Sequence, residues 1–211
     1  MKTQDLIAAL AADAPPVADV RRGLIAALVI GGLASLIVFV AAIGARPDLA
    51  EALRTWRFDA KFAVALSALA ASLAVVLPLL RPGALPGARR LWLAAPLSLM
   101  AACIVIEVLN VPADRWAARL VGVNAAHCLT LIPLLSIAPL AALLLAMRQG
   151  APERPARAGA LAGLAAAALA ATLYASNCTD DSPLFVALWY SLAALIVMAA
   201  GALVGGRLLR W

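Results

Sequence analysis

The sequence predicts an all-α integral membrane protein: a bundle of six transmembrane helices with the N- and C-termini both in the cytoplasm. Three observations carry this. Hydrophobic residues make up 65% of the chain and charged ones 13%, with a mean hydropathy of +1.00, too little charge to cover a soluble surface. Six segments, about 23–44, 62–80, 91–109, 129–147, 158–176 and 184–206, reach the roughly 20 apolar residues that a span needs. No strand alternation runs through them, and lipid admits only helices or closed barrels. The basic residues divide eleven to six between the two sets of loops, eleven on the side of both termini, which places that side in the cytoplasm.

The chain divides into a segment 1–22 and a six-helix domain 23–211. In "TQDLIAALAADAPPV" a helix starts at Thr3, with Asp5 in the acidic first turn. Leu6, Ile7 and Leu10 share one face, and Pro15 and Pro16 end the helix. About ten residues of helix are marginal alone, so this one needs a surface. A membrane-surface helix usually shows Lys and Arg on its polar face. Here the charges are Asp5, Asp13 and Lys2, which favours docking into a groove of a cytoplasmic partner.

After the first span comes "RPDLAEALRTWRFDAK", and after the second "RPGALPGARR". The third span holds Cys103, read as a small buried hydrophobe, and Glu107, which is near enough to the outer end to be expected to reach water. "VPADRW" leads on to the fourth span, where Pro133 and Pro139 each remove a backbone hydrogen bond and open the helix to kinking. The fifth and sixth spans carry Gly159/Gly163 and Gly201/Gly205. Small residues at that spacing let helices approach closely and also permit a homodimer. Between these spans lies "NCTDDSP", with two acids and no base of its own.

The chain does not read as an enzyme. The single histidine, His127, assembles no catalytic set, and no phosphate-binding loop, H-E-x-x-H or C-x-x-C is present. Its formal charge of +6 flanks apolar runs and forms no stripe interleaved with aromatics, so nucleic acid is not a direct partner; the lipid bilayer is. No resident cofactor is expected. A small membrane transporter or a thiol-redox membrane protein is the alternative class, but no span carries a ladder of polar groups.

Cys128 opens the fourth span and Cys178 closes the fifth, on the same outer side. Helix axes 8–10 Å apart let two such side chains approach disulfide distance. Three readings stand together: a structural disulfide, a redox- or metal-responsive thiol pair, and a metal site of His127, Cys128, Cys178 and Asp180. His127 and Cys128 point about 100° apart on a helix, which handicaps joint ligation.

Several motifs carry a family resemblance: "TQDLIAALAADAPPV", "FDAKFAVAL", "RLWLAAPLSL", "CLTLIPLLSIAPLAALLLAMRQGAP", "NCTDDSPLFVALWY" and "GRLLRW". The chain resembles the NrsF family, membrane-bound negative regulators of sigma F in proteobacteria. The resemblance implies an anti-sigma factor that holds an extracytoplasmic-function sigma factor at the bacterial inner membrane. By position it makes Asp5, Leu6, Ile7, Leu10, Asp13, Pro15, Pro16 and Val17 the sigma-binding residues. It implies that Cys128 and Cys178 are the two periplasmic cysteines that sense heavy-metal or oxidative stress, with a heavy metal as a transient ligand at most. Many relatives of this kind carry His where this chain has Asn177, and that departure weakens a metal site while leaving thiol chemistry less affected. The expected response is a shift of the fourth helix against the fifth, with flexing at Pro133 and Pro139.

Overall fold

The computed structural model describes residues 3–4, 20–80 and 87–210. Among these residues there is no strand, and six helices are long and apolar enough to cross a membrane. They are α1 (Val20–Ala42), α2 (Trp56–Leu79), α3 (Ala94–Asn110, led in by a 3-10 segment Gly87–Leu93), α4 (Ala125–Met147), α5 (Pro155–Ala175) and α6 (Ser191–Leu208). Thr3 and Gln4 are helical, whereas Asp5, Leu6, Ile7, Leu10, Asp13, Pro15, Pro16 and Val17 lie outside the described residues.

Capping chemistry sets several of the helix starts. Thr55 accepts the Phe58 N–H through its side chain, so α2 begins at Trp56, ahead of the purely apolar run. Pro155 occupies the first turn of α5, where its missing N–H costs nothing. Ser182 accepts the Leu184 N–H, and Pro183 starts the turn that leads into α6. That turn is unusual, because Val186–Tyr190 is wound as a π-helix before α6 continues as α.

α5 is the central helix and packs on α6, α2, α4 and α1. Its buried face is nearly all Ala and Gly, including Ala158, Gly159, Ala162, Gly163, Ala166 and Ala170. Within a membrane there is little hydrophobic drive between helices, so association depends on close backbone packing, which small residues allow. The two G-x-x-x-G motifs face each other. A Cβ at Gly163 would sit 2.6 Å from the Val197 carbonyl oxygen, and one at Gly205 would sit 2.8 Å from Gly159 Cα. A Cβ on either Gly159 or Gly201 would run into the other's carbonyl oxygen. Both motifs are therefore spent inside one chain, and a homodimer through those faces would have to displace the α5–α6 contact.

α4 runs unbroken through Pro133 and Pro139. Pro139 has no N–H for the Leu135 carbonyl four residues earlier, and Ser35 of α1 supplies the missing donor, with its Oγ 2.6 Å from Leu135 O. The helices can approach this closely because α1 presents Gly31, where a Cβ would meet Pro139 Cα at 2.5 Å. α3 is peripheral, touching mainly α2 and the turn before α6.

Candidate functional site

The buried charges among the described residues gather at one end of the bundle, where α1, α3 and α5 finish and α2, α4 and α6 begin. Elsewhere the buried polar side chains are serines, such as Ser72 and Ser136, bonded to backbone carbonyls.

The segment 176–182 lies at the centre of this end. Cys128 projects from the first turns of α4 and Cys178 from the loop after α5, both with no exposed surface. Their thiols are free and within hydrogen-bonding reach of each other. The pair sits in a buried cluster with Tyr174, Tyr190, Ile132 and Phe185. The tyrosine rings lie 6.0 Å apart between centroids. Both hydroxyls border the thiols, yet neither makes a hydrogen bond of ordinary geometry.

Above the thiols, charged residues from other segments fix the loop. Lys61, only 2% exposed, places Nζ 2.5 Å from Asp181 Oδ1 and 3.0 Å from the Cys178 carbonyl oxygen. Arg46 Nη1 reaches Asp181 Oδ2 at 2.9 Å and the Cys178 carbonyl at 3.2 Å. Its Nη2 pairs with Asp48 at 2.6 Å. The Arg46 amide donates to the Ser176 carbonyl at 3.0 Å, and Asn177 Nδ2 donates to the Gly44 carbonyl at 2.9 Å. On the opposite side Asp180 Oδ2 accepts from the Val123 and Asn124 amides at 3.0 and 2.8 Å and from Asn124 Nδ2 at 2.9 Å. Gly122 makes this approach possible: its φ is +57°, and a Cβ there would lie 2.5 Å from the Phe185 ring and 2.8 Å from Asp180 Cγ.

These contacts shift the titration of the groups involved. The Cys178 thiol is held down to about 7: the hydrogen bond from Cys128 lowers it, burial opposes this, and the Lys61 charge lowers it further. The Arg46 guanidinium is raised, first by its bond to Asp48, against a desolvation cost, and then by Asp181. Arg46 in turn holds the Asp48 carboxyl below its ordinary range.

One expectation needs correction. Glu107 does not reach water: it has no exposed surface. Its oxygens pair with Arg57 Nε at 2.7 Å and Arg119 Nη1 at 2.5 Å, and Ser182 Oγ donates to it at 3.3 Å. Two arginines from neighbouring segments reach inward to this buried carboxylate, an arrangement that only the fold reveals. The acidic loop has basic neighbours in space. Its sequence contains none, and Arg46 and Lys61 arrive from far along the chain.

Of the candidate metal ligands, His127 is exposed, and Asp180 is committed to residues 123–124. Among the described residues no three His, Cys, Asp or Glu side chains converge as ligands. Cys103 is buried in α3, outside the thiol cluster. Sequence reasoning missed Tyr174, Tyr190, Arg46, Lys61 and Asp181. Lys61 left one trace: with Phe58 and Ala65 it falls on the stripe of α2 that is buried, three and four residues from each, the spacing of a core face.

Comparison with known proteins gives this site its context. A family model described as "NrsF: Negative regulator of sigma F" matches residues 10–211. The chain is 37% identical over its whole length, and the whole of the relative's, to the "Probable anti-sigma-F factor NrsF" of Azospira oryzae. It has the same identity, again over both full lengths, to the "Anti-sigma-F factor NrsF" of Caulobacter vibrioides. No solved structure matches the chain. This protein belongs to the NrsF family of negative regulators of sigma F.

Proposed function

We propose that this protein is an anti-sigma factor. It holds an extracytoplasmic-function sigma factor of the sigma F type at the bacterial inner membrane, and heavy-metal or oxidative stress at Cys128 and Cys178 releases it. The observation that carries this reading is the full-length similarity to two anti-sigma-F factors. The sigma-binding part is the segment 1–22, and the thiol end of the bundle faces the periplasm. The basic residues at the opposite end, including Arg148, Arg154, Arg157, Arg207 and Arg210, support that orientation.

The contacts around Cys178 favour a route for the signal different from a simple α4–α5 shift. Gly44 and Arg46 follow α1 directly and are tied to the Cys178 loop by both backbone and side-chain bonds. The other end of α1 begins at Val20, next to the proposed sigma-binding segment. A change at the thiols that moves residues 176–182 pulls on α1, and α1 is continuous with the part that holds sigma. The signal shifts the equilibrium only by its differential affinity for the holding and releasing states, typically 1–3 kcal/mol.

The test is co-purification of the sigma factor with the full protein and with a variant lacking residues 1–22. Capture by the full protein alone is expected; equal capture by both removes the N-terminal segment from the mechanism.

A further inference from the structure

The hydroxyls of Tyr174 and Tyr190 are buried without a hydrogen-bond partner. Burying such a group carries an uncompensated desolvation cost, and two of them side by side require a reason. Tyr190 is also the last residue of the π-helical turn Val186–Tyr190. One extra residue in a turn rotates the side chains beyond it by about 100° relative to an α-helical path, and such turns occur frequently at functional sites. Both irregularities converge on the Cys128–Cys178 pair.

A phenol hydroxyl donates weakly to a neutral thiol and strongly to a thiolate, because the second bond is charge-assisted. These hydroxyls are idle while both sulfurs are protonated and become engaged once one is charged. The surroundings determine which sulfur that is. Lys61 and Arg46 bond the Cys178 carbonyl directly, with Asp181 pairing both cations and the half-exposed Asp48 pairing Arg46, so the positive groups lie against the Cys178 backbone. Cys128 has only the half charge of a helix N-terminus, and Asp180 already offsets it by capping the amides of residues 123 and 124. The depressed titration of Cys178 agrees with this balance.

We propose that Cys178 is the attacking thiol of the pair, Cys128 the resolving thiol, and Tyr174 and Tyr190 positioning residues whose hydroxyls stabilise the charged sulfur. This rests on the reading of the pair as the sensor. With a hydroperoxide as oxidant, the Cys178 thiolate attacks the terminal peroxide oxygen. The O–O bond breaks, the alkoxide leaves and takes up a proton from water, and Cys178 becomes a sulfenic acid. The Cys128 sulfur then attacks the Cys178 sulfur, its proton goes to the departing hydroxide, and a disulfide and one water form. The two sulfurs lose two electrons in all, and the hydroperoxide gains them.

The experiment uses the full chain, reduced, in lipid nanodiscs and treated with hydrogen peroxide. A dimedone trap reads sulfenic acid by mass spectrometry in Cys128→Ser and Cys178→Ser. The trapped signal on Cys178 in the first variant should exceed that on Cys128 in the second by about tenfold. Adding Tyr190→Phe or Tyr174→Phe to Cys128→Ser should slow trapping several-fold and move its pH midpoint upward, while each ring stays in place to preserve packing. Equal trapping on the two cysteines overturns the assignment of roles. Unchanged rate and midpoint in both Phe variants overturns the role of the tyrosines. A failure of the sensor reading itself looks different: the thiol chemistry persists in vitro, but stress induction in cells ignores the Cys→Ser changes.

Discussion

Lys61 Nζ and Asp181 Oδ1 lie 2.5 Å apart although 120 positions separate them in the chain, and the same ammonium bonds the carbonyl of Cys178. This pair fixes the thiol loop to α2. Breaking a buried ion pair by removing one partner is strongly destabilising because it strands the other charge. Arg46 remains beside Asp181, so Lys61→Met should cost about 2–3 kcal/mol, somewhat below the usual range for such a loss, as read by unfolding in detergent. It should also free the Cys178 loop, measurable as faster hydrogen exchange at residues 176–182.

The Glu107 cluster should respond asymmetrically. Arg57 and Arg119 are about one-third exposed and Glu107 not at all. With Glu107→Gln the arginines turn to water at small cost. Arg57→Ala with Arg119→Ala leaves a buried carboxylate without its ion-pair partners, for about 3–5 kcal/mol. Thermal unfolding of the two variants should differ clearly, with the double arginine variant the less stable.

Ser35→Ala should cost about 1–2 kcal/mol, because the Leu135 carbonyl that Pro139 leaves free loses its donor. Pro139→Ala restores an N–H for that carbonyl, so the serine change should cost much less in that background. A double-mutant cycle on stability measures the coupling.

Stability should depend on pH through Cys178. Its thiol titrates near 7 in the folded protein, against an ordinary 9.0. Between those values the folded chain binds fewer protons than the unfolded one, so stability rises with pH across the window and is lost as pH falls through about 7. Unfolding midpoints of the reduced protein should rise from pH 7 to pH 9, and the rise should flatten in Cys178→Ser.

The sequence revealed what depends on local pattern: the six apolar runs, the glycine stripes, and the common end of the bundle shared by Cys128 and Cys178. It did not reveal how charges pair across the bundle. Glu107 meets Arg57 and Arg119, and Asp181 meets Arg46 and Lys61, only because helix register brings distant residues to the same depth. A carboxylate near a span end reads as wet until the arginines around it are placed. Pro139 reads as a flexing point until Ser35 is seen to replace its missing bond. The π turn before α6 has no compositional signature in "VALWY", so the position of Tyr190 could not be anticipated.

The most direct test of thiol-gated sigma release uses membranes that carry the full protein with its sigma factor bound. Sigma retained in the membrane fraction is quantified before and after cadmium or peroxide, for the unaltered protein and for Cys128→Ser/Cys178→Ser. Release from the unaltered protein, with retention by the double variant under both conditions, is the predicted result. Equal release from both would contradict it.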